Sequence, residues 1–176
     1  MSSDREERAP SPLSSPLTHL DPEGGVRMVD TGDKAVTRRE AAARGRVEMR
    51  AETIGLIAEG KMPKGDVLSI AQVAGIMAAK KTPDLIPLCH PLNLSAVNVR
   101  LWLDRERSSV EVEATVRVEA KTGAEMEALT AVSAACLTVY DMCKAVQRDM
   151  QIKDIRLVRK TGGKSGAYAR EGEDLG

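Results

Sequence analysis

The sequence predicts an α+β fold in which helices cover one face of an antiparallel sheet. Two neighbouring segments, 94–103 and 108–120, alternate apolar and polar residues with the period of two that a β-strand requires. A later segment, 121–146, repeats its apolar residues every three or four positions, as an amphipathic helix does. With strand-like segments before and after these, the order favours one layer of helices on one sheet.

The first predicted strand, 36–50, has a mixed pattern. Alanine and arginine favour a helix here, but Gly45 interrupts the helical pattern. Val47 and Met49 then alternate with charged residues. We therefore interpret the segment as a strand.

Two helices are predicted next. The segment 51–60 is a short helix that Gly60 ends, and 65–83 is a second helix. Asp66 is placed as the N-cap of the second helix, because its side chain can accept a hydrogen bond from a free backbone amide of the first turn. Pro83, which cannot continue a helix, is predicted to stop it.

The two alternating segments are joined by the polar link DRERS, which predicts an antiparallel hairpin. One face of each strand is apolar, with Val97, Val99, Leu101 and Leu103 in the first and Val110, Val112, Ala114, Val116 and Val118 in the second. Near the end of the chain, 152–160 is predicted to be a strand, followed by a glycine-rich ending.

The long helix has an apolar face that extends over about six turns. Thr122 and Glu125 have the spacing of a capping box, so one interpretation of Glu125 is structural. The apolar face is formed by Met126, Leu129, Val132, Cys136, Val139, Cys143 and Val146.

Composition limits the domain organisation and the compartment. The 176 residues suit a single domain, predicted over 17–166, with a polar, disordered tail over 1–16 and a flexible tail over 167–176. The three cysteines form no CxxC pair, and we interpret them as free thiols. No signal peptide or long apolar run is present, so we expect a cytoplasmic protein without a membrane partner.

Charge argues against a nucleic-acid partner. Lys and Arg together number 26, as do Asp and Glu, so no overall field attracts the protein to an anionic polymer. An anionic ligand must instead be bound by a local cluster of cations.

The stretch LIPLCHPL places His90 beside Cys89 and between Pro87 and Pro91. The prolines stiffen the backbone, which favours a pre-positioned side chain. Neighbouring side chains of an extended segment point to opposite faces, and the only other histidine, His19, is distant in sequence. Because the usual ligand spacings are absent, we expect no metal site here.

Charged residues near the two ends of the long helix are further candidates. Glu127 lies in the first turn, where any acidic residue is favoured by the helix dipole. Asp141 and Lys144 are three residues apart and would ordinarily be a surface ion pair. Lys64 precedes the second helix and could be either an ordinary surface lysine or a ligand-binding amine.

The motif GGKSG suggests a phosphate loop but lacks the required pattern. A Walker motif needs a glycine where this chain has Val158, and no helix is predicted to follow. Two interpretations stay open: a solvated ending, or a flexible loop that binds phosphate through Lys160 and Lys164.

The chain resembles the cyclic pyranopterin monophosphate synthase family, the C protein of molybdenum cofactor biosynthesis. The resemblance covers about 17–166 and rests on LTHLD, MVD, KGDVLSIAQVAGIMAAKKTPDLIPLCHPL, KTGAEMEALTAVSAACLTVYDMCKAV and KTGGKSG. It implies a ferredoxin-like fold and a homohexamer, a trimer of dimers with active sites between subunits. Ala124 and Ala134 depart from the family pattern, where valine is common, and neither is a site residue.

The resemblance also implies a lyase reaction. Its substrate is (8S)-3′,8-cyclo-7,8-dihydroguanosine 5′-triphosphate, a GTP-derived nucleotide, and its products are cyclic pyranopterin monophosphate and diphosphate. No redox cofactor is implied, and whether Mg²⁺ accompanies the triphosphate stays open. By matching positions, the catalytic residues are Asp141, Lys144 and Lys64. The substrate-binding residues are Leu88, Cys89, His90, Glu125, Met126 and Glu127.

Helix geometry suggests that the site is shared between subunits. Glu127 and Asp141 are 14 residues apart, which is about 21 Å along a straight helix. One compact pocket can hardly use both from one chain. We therefore expect Glu125, Glu127 and His90 from one subunit, and Asp141 and Lys144 from its dimer partner.

Without the resemblance, two weaker hypotheses remain. The first is a small-molecule lyase whose pocket joins His90 to the helix carboxylates. The second is a noncatalytic module that binds RNA or a nucleotide through Lys160 and Lys164. Zero net charge and the small number of aromatic residues argue against RNA binding. The chain has three aromatic residues, Trp102, Tyr140 and Tyr168.

Overall fold

A computed structural model describes residues 28–164 and 166–173. The chain divides into two compact units, Met1–Asp30 and Thr31–Gly176. Of the first unit only 28–30 is described, and these residues form neither helix nor strand. The tail predicted over 1–16 lies outside the described residues, and the domain bounds 17–166 stay a prediction.

The second unit contains a five-stranded antiparallel sheet with the strand order β2-β3-β1-β4-β5. Strands β1 to β4 have the order and connections of a ferredoxin-like α+β fold, so the predicted fold class is confirmed. The strands are β1 Thr37–Glu48, β2 Leu94–Asp104, β3 Ser109–Ala120, β4 Gln151–Thr161 and β5 Tyr168–Ala169. The helices are α1 Ala51–Ala58, α2 Val67–Ala79, α3 Thr82–Leu85 and α4 Glu125–Cys143.

The core lies between the sheet and α4. Helix α4 packs on β1, β3 and β4, while α2 packs on α4 and β2. The apolar face predicted for β3 is confirmed, because all five of its residues are fully buried. In the part of the chain that the structure describes, no helix has both the length and the apolar character needed to span a bilayer.

Two glycines allow the layers to approach closely. A Cβ atom on Gly45 of β1 would lie 2.8 Å from the Cγ1 atom of Val132 in α4. A Cβ atom on Gly75 of α2 would lie 3.0 Å from the carbonyl oxygen of Ala131 in α4. The interruption that Gly45 makes in the sequence pattern therefore reflects close contact between sheet and helix.

The predicted start of α4 is wrong. The helix begins at Glu125 after Ala124, with no side-chain cap, so Thr122 is not the N-cap. The Glu125 carboxylate instead contacts the Lys160 Nζ atom of β4 at 3.2 Å. A tertiary ion pair has replaced the local hydrogen bond that a capping box requires.

The predicted end of α2 is also wrong, although Asp66 is its N-cap and accepts a hydrogen bond from the Ser69 amide. The helix ends at Ala79, and Pro83 lies in the first turn of α3. The Thr82 hydroxyl donates to the Ala79 carbonyl at 3.0 Å, which satisfies part of the helix end. A proline in a first turn sacrifices no helical hydrogen bond, so the chain can begin a new turn there.

The end of the chain contains a strand that the sequence did not predict. Tyr168 and Ala169 pair with β4, within the segment predicted as a flexible tail, 167–176. The Glu173 carboxylate accepts hydrogen bonds from Arg44 and Arg156 on the sheet.

Substitution of Gly45 tests the close packing of β1 on α4. Gly45→Ala is expected to lower the free energy of unfolding by about 1–3 kcal/mol, because Val132 and Ile155 must move away from the new methyl group. Gly55→Ala, in α1, is the control: its Cβ atom meets nothing within 4 Å, so it should stabilise by about 0.4–1 kcal/mol. Urea unfolding of both variants provides the measurement, and equal stability would contradict the packing argument.

Candidate active site

A cluster of two lysines around one aspartate lies at the C-terminal end of α4. The Lys64 Nζ atom donates to Asp141 Oδ2 at 2.6 Å and to the Asp141 carbonyl oxygen at 3.1 Å. The Lys144 Nζ atom lies 2.7 Å from Asp141 Oδ1. The structure thus brings together the three residues that the resemblance assigns to catalysis.

The position of Lys64 depends on how α1 is attached to the end of α4. The Gln147 Oε1 atom accepts hydrogen bonds from the Arg50 amide at 2.9 Å and from the Thr53 hydroxyl at 2.8 Å. Both Thr53 and Gln147 are buried. These bonds hold α1 against the segment after α4, so the loop that carries Lys64 reaches Asp141.

Glycines shape that loop. Gly60 and Gly65 have φ values of +65° and +89°, a region that side-chain-bearing residues rarely adopt. The chain turns back at Gly60, where α1 has ended, and again at Gly65, just before the N-cap of α2. Lys64 is therefore presented from a tight turn.

Electrostatics keep the cluster charged. Hydrogen bonds from Lys144 and Lys64 lower the pKa of Asp141 to about 2. The hydrogen bond with Asp141 raises the pKa of Lys144 above its ordinary value. The side chains of Lys64, Asp141 and Lys144 are 44%, 52% and 53% exposed, so a ligand can reach them. Exposed ion pairs contribute little to stability, and the cluster is better explained by what it can bind.

A second group of predicted site residues lies at the other end of α4. Glu127 is only 1% exposed, and the Cys89 Sγ atom donates to its Oε1 atom at 3.6 Å. Burial raises the pKa of Glu127, and burial together with Glu127 raises the pKa of Cys89 to about 11. An uncharged thiol thus contacts a carboxyl group that is unusually easy to protonate.

The remaining predicted residues surround this pair. Leu88 and His90 are half-buried in the loop between α3 and β2. Met126 is partly exposed on the first turn of α4, next to Glu125 and its partner Lys160. The six predicted substrate-binding residues therefore occupy the beginning of α4 and the loop that contacts it.

A cationic cavity of about 930 Å³ opens beside Glu125. Its acidic lining residues are Asp33 and Glu125. Its cationic lining residues are Lys34, Arg39, Lys121, Lys160 and Lys164. An excess of cations around one concave surface favours an anionic ligand with several charges.

The GGKSG motif forms one wall of this cavity. Gly162 and Gly163 have positive φ values, and a Cβ atom on Gly163 would lie 2.2 Å from Arg39 Nη1. Arg39 in turn donates to the carbonyl oxygens of Ala120 and Lys121. The glycines therefore allow the loop to lie on Arg39. In the described residues 166–173 after Lys164, there is no helix of the kind that follows a nucleotide-triphosphatase loop.

Sequence reasoning missed Lys34, Arg39 and Lys121 as pocket residues. They come from segments before β1, within β1 and after β3, which meet only when β1 pairs with β3. A regular spacing along the chain could not have indicated them. The one available signal was the type of residue, a lone cation near the end of a predicted strand, which is too common to be informative.

The two groups of site residues lie at opposite ends of one helix. Helix α4 runs without interruption from Glu125 to Cys143, so Glu127 and Asp141 are separated by about 21 Å along its axis. Within the described residues, no group of three or more His, Cys, Asp or Glu side chains could bind a metal ion. His19 lies outside them.

Comparison with known proteins gives a consistent result. The MoaC family model matches residues 28–163. The cyclic pyranopterin monophosphate synthase of Pelotomaculum thermopropionicum is 62% identical over 160 residues, 91% of this chain and 94% of that protein. The synthases of Chloroflexus aurantiacus and Heliobacterium modesticaldum are 64% and 60% identical, over 88% and 89% of this chain and 94% and 98% of theirs.

Titration of Asp141 tests the electrostatics of the lysine cluster. Because its folded-state pKa is lowered, the Asp141 ion pairs persist at neutral pH and are lost only as the pH falls toward about 2. Lys144→Gln should raise the pKa of Asp141 toward its ordinary value of about 3.9. The measurement is the ¹³C shift of the Asp141 carboxyl group from neutral pH to the onset of acid unfolding.

A nearby lysine provides the control for this titration. Lys61 contacts Glu59 at 2.7 Å and makes no contact with Asp141, so Lys61→Gln should leave the Asp141 titration unchanged. An identical titration of Asp141 in Lys144→Gln and in the unsubstituted protein would show that the cluster does not set this pKa.

Proposed function

This chain belongs to the MoaC family, and we propose that it is a cyclic pyranopterin monophosphate synthase. As a lyase of molybdenum cofactor biosynthesis, it converts (8S)-3′,8-cyclo-7,8-dihydroguanosine 5′-triphosphate into cyclic pyranopterin monophosphate and diphosphate. The structural observation that carries the proposal is the Lys64, Asp141 and Lys144 cluster, an exposed set of charges that bond to one another.

The substrate triphosphate is bound in the cationic cavity. Five lysine and arginine side chains line it against two carboxylates, which suits a ligand with several negative charges. The Glu125 and Lys160 ion pair lies in the cavity wall, so phosphate binding competes with Glu125 for Lys160. Of the two interpretations of GGKSG, the cavity lining by Gly163 and Lys164 supports phosphate binding.

The lysine cluster acts as a source of protons and positive charge. Asp141, with a pKa of about 2, is a weak base, and Lys144 holds its proton tightly. Both lysines therefore stabilise negative charge, Lys64 is the proton donor, and Asp141 fixes the two ammonium groups in position. Closure of the cyclic phosphate releases diphosphate, whose developing negative charge is the kind that such cations stabilise.

The nucleotide part of the substrate is bound at the surface that Leu88, Cys89, His90, Glu125, Met126 and Glu127 form, where a residue either contacts the nucleotide or positions a neighbour that does. His90 lies between Pro87 and Pro91, so its ring is presented with little loss of conformational freedom on binding. The conversion consumes no oxidant or reductant, and accordingly we propose that it needs no redox cofactor.

The complete site requires two subunits. Glu127 and Asp141 lie about 21 Å apart along α4, too far for one ligand to contact both within one chain. Helix α2 exposes Ile70, Val73 and Met77, and α4 exposes Leu137, which supplies apolar surface for a second copy. We propose a homohexamer built as a trimer of dimers, with each site formed by two copies.

We place the protein in the cytoplasm, without a nucleic-acid or membrane partner. Its three cysteines are free thiols, which is the state that a reducing compartment maintains. Its net charge is zero, and the cations around the cavity are local, which suits a small anionic molecule better than a polymer.

An assay of diphosphate release tests the proposed reaction. The protein is incubated with the cyclised nucleotide, and diphosphate and pterin product are measured together. Lys64→Gln and Asp141→Asn are expected to lower the rate by about 10²–10⁴, the usual contribution of a positioned proton donor. Lys61→Gln lies in the same loop as Lys64 and should retain full activity. Absence of diphosphate release by the unsubstituted protein would refute the function.

Mixing two inactive variants tests the shared site. Asp141→Ala and Glu127→Ala are unfolded together and refolded at equal concentration, and each is also refolded alone. Random pairing of subunits should restore up to about a quarter of the sites, because a mixed dimer has one intact site and one with both substitutions. If each chain held a whole site, the mixture would stay as inactive as its components.

A further inference from the structure

The buried end of the site contains a carboxyl oxygen without a partner. Glu127 is 1% exposed, and its Oε2 atom has no hydrogen-bond partner among the described residues. A buried polar atom left unsatisfied costs free energy and is rare in folded proteins. The other oxygen of this carboxyl group contacts Cys89 of the proposed nucleotide-binding loop, so a ligand atom that enters beside this loop is a candidate for the missing partner.

The other oxygen of the same carboxyl group is held by a thiol. The Cys89 Sγ atom donates to Glu127 Oε1 at 3.6 Å. The pKa of Cys89 is raised to about 11, mainly by burial and then by Glu127, so the thiol keeps its proton at neutral pH and remains a donor. Only on the order of one molecule in ten thousand carries a thiolate at pH 7, which is unsuitable for a nucleophile.

We infer that Cys89 is a positioning residue: its thiol fixes Oε1 of Glu127 so that Oε2 faces the substrate and exchanges a proton with it. This inference rests on the proposed function and assigns a role to two of its binding residues. The Glu127 carboxylate accepts a proton at Oε2 from a hydroxyl or ring N–H group of the substrate. It then returns that proton to a later intermediate or to water, so the group ends the cycle unchanged.

The surroundings of Glu127 suit a group that changes its protonation state. Burial raises its pKa more than a hydrogen bond with its own backbone amide lowers it, and the negative charge of Glu125, on the same helix, adds a smaller increase. Glu125 is itself paired with Lys160 of β4, and Cys89, from the loop before β2, lowers the Glu127 pKa by its hydrogen bond. Glu127 thus supplies the basic function that Asp141, ionised between two lysines, performs poorly.

Kinetics of Cys89 variants test the positioning role. Cys89→Ala removes the donor, which should raise the pKa of Glu127 and move the acidic limb of the kcat profile to higher pH. We expect kcat to fall about tenfold or more while KM changes little, since the substrate loses a proton acceptor and not a contact. Cys89→Ser retains a donor and should recover most of kcat and the original profile.

The control variant is Cys136→Ala. Cys136 is fully buried in the core, nine residues after Glu127 along α4, so its loss should leave kcat and the pH profile unchanged. An increase in KM for both Cys89 variants, with an unshifted profile, would instead mean that the thiol contacts the substrate directly. Either that result or an unaffected Cys89→Ala enzyme overturns the inference.

Alkylation of Cys89 provides a readout that needs no substrate. In Glu127→Gln the carboxylate that raises the Cys89 pKa is gone, so iodoacetamide should modify Cys89 severalfold faster at a fixed, mildly alkaline pH. Mass spectrometry assigns the label, and Cys136→Ala should react at Cys89 as the unsubstituted protein does. An unchanged rate of Cys89 alkylation in Glu127→Gln overturns the inferred contact, even if the unsubstituted protein releases diphosphate. If Glu127→Gln is alkylated faster but the unsubstituted protein releases no diphosphate, the contact between Cys89 and Glu127 stands and the proposed function is refuted.

Discussion

The length and continuity of α4 determine how the candidate site is organised. One helix crosses the sheet from Glu125 to Cys143, and each end carries a different set of chemical groups. A ligand of nucleotide size cannot span about 21 Å of helix and remain enclosed at both ends. The separation therefore follows from the fold itself and makes a second copy of the chain part of the proposed chemistry.

The two ends of α4 also differ in environment, and the difference divides the acid and base functions. At the C-terminal end, Lys144 and Lys64 keep Asp141 ionised, and Asp141 raises the pKa of Lys144, so this end provides positive charge. At the N-terminal end, Glu127 is buried beside a neutral thiol, and burial raises its pKa, so its neutral form is easier to reach than that of an exposed glutamate. Groups whose pKa values are moved apart by their surroundings can act as acid and base in one reaction.

The elements of the fold were largely predictable because they depend on local periodicity. The alternation in β2 and β3 and the helical period of α4 report which face is buried. The structure buries the predicted face of β3 completely, that of α4 from Val132 to Cys143, and in β2 only Val99 fully. Errors arose where a distant residue intervened. The Glu125 carboxylate pairs with Lys160 and does not form a capping box. The Thr82 hydroxyl bonds to the Ala79 carbonyl at the end of α2, four residues before Pro83. The cationic cavity and the contact between Cys89 and Glu127 are formed by residues that are distant in sequence, so local sequence patterns do not predict them.

The packing of α2 connects the fold to the proposed assembly. Its inward face carries Ala71, Gly75 and Ala79, and at Gly75 even a methyl group would press on the α4 backbone. Its outward face carries the larger Ile70, Val73 and Met77, which is the reverse of an ordinary surface helix. Small residues inside bring α2 close to α4, and large apolar residues outside lose exposure to water only if another chain covers them. A second copy packed there would bury this face and could also supply the half of the site that α4 holds too far away.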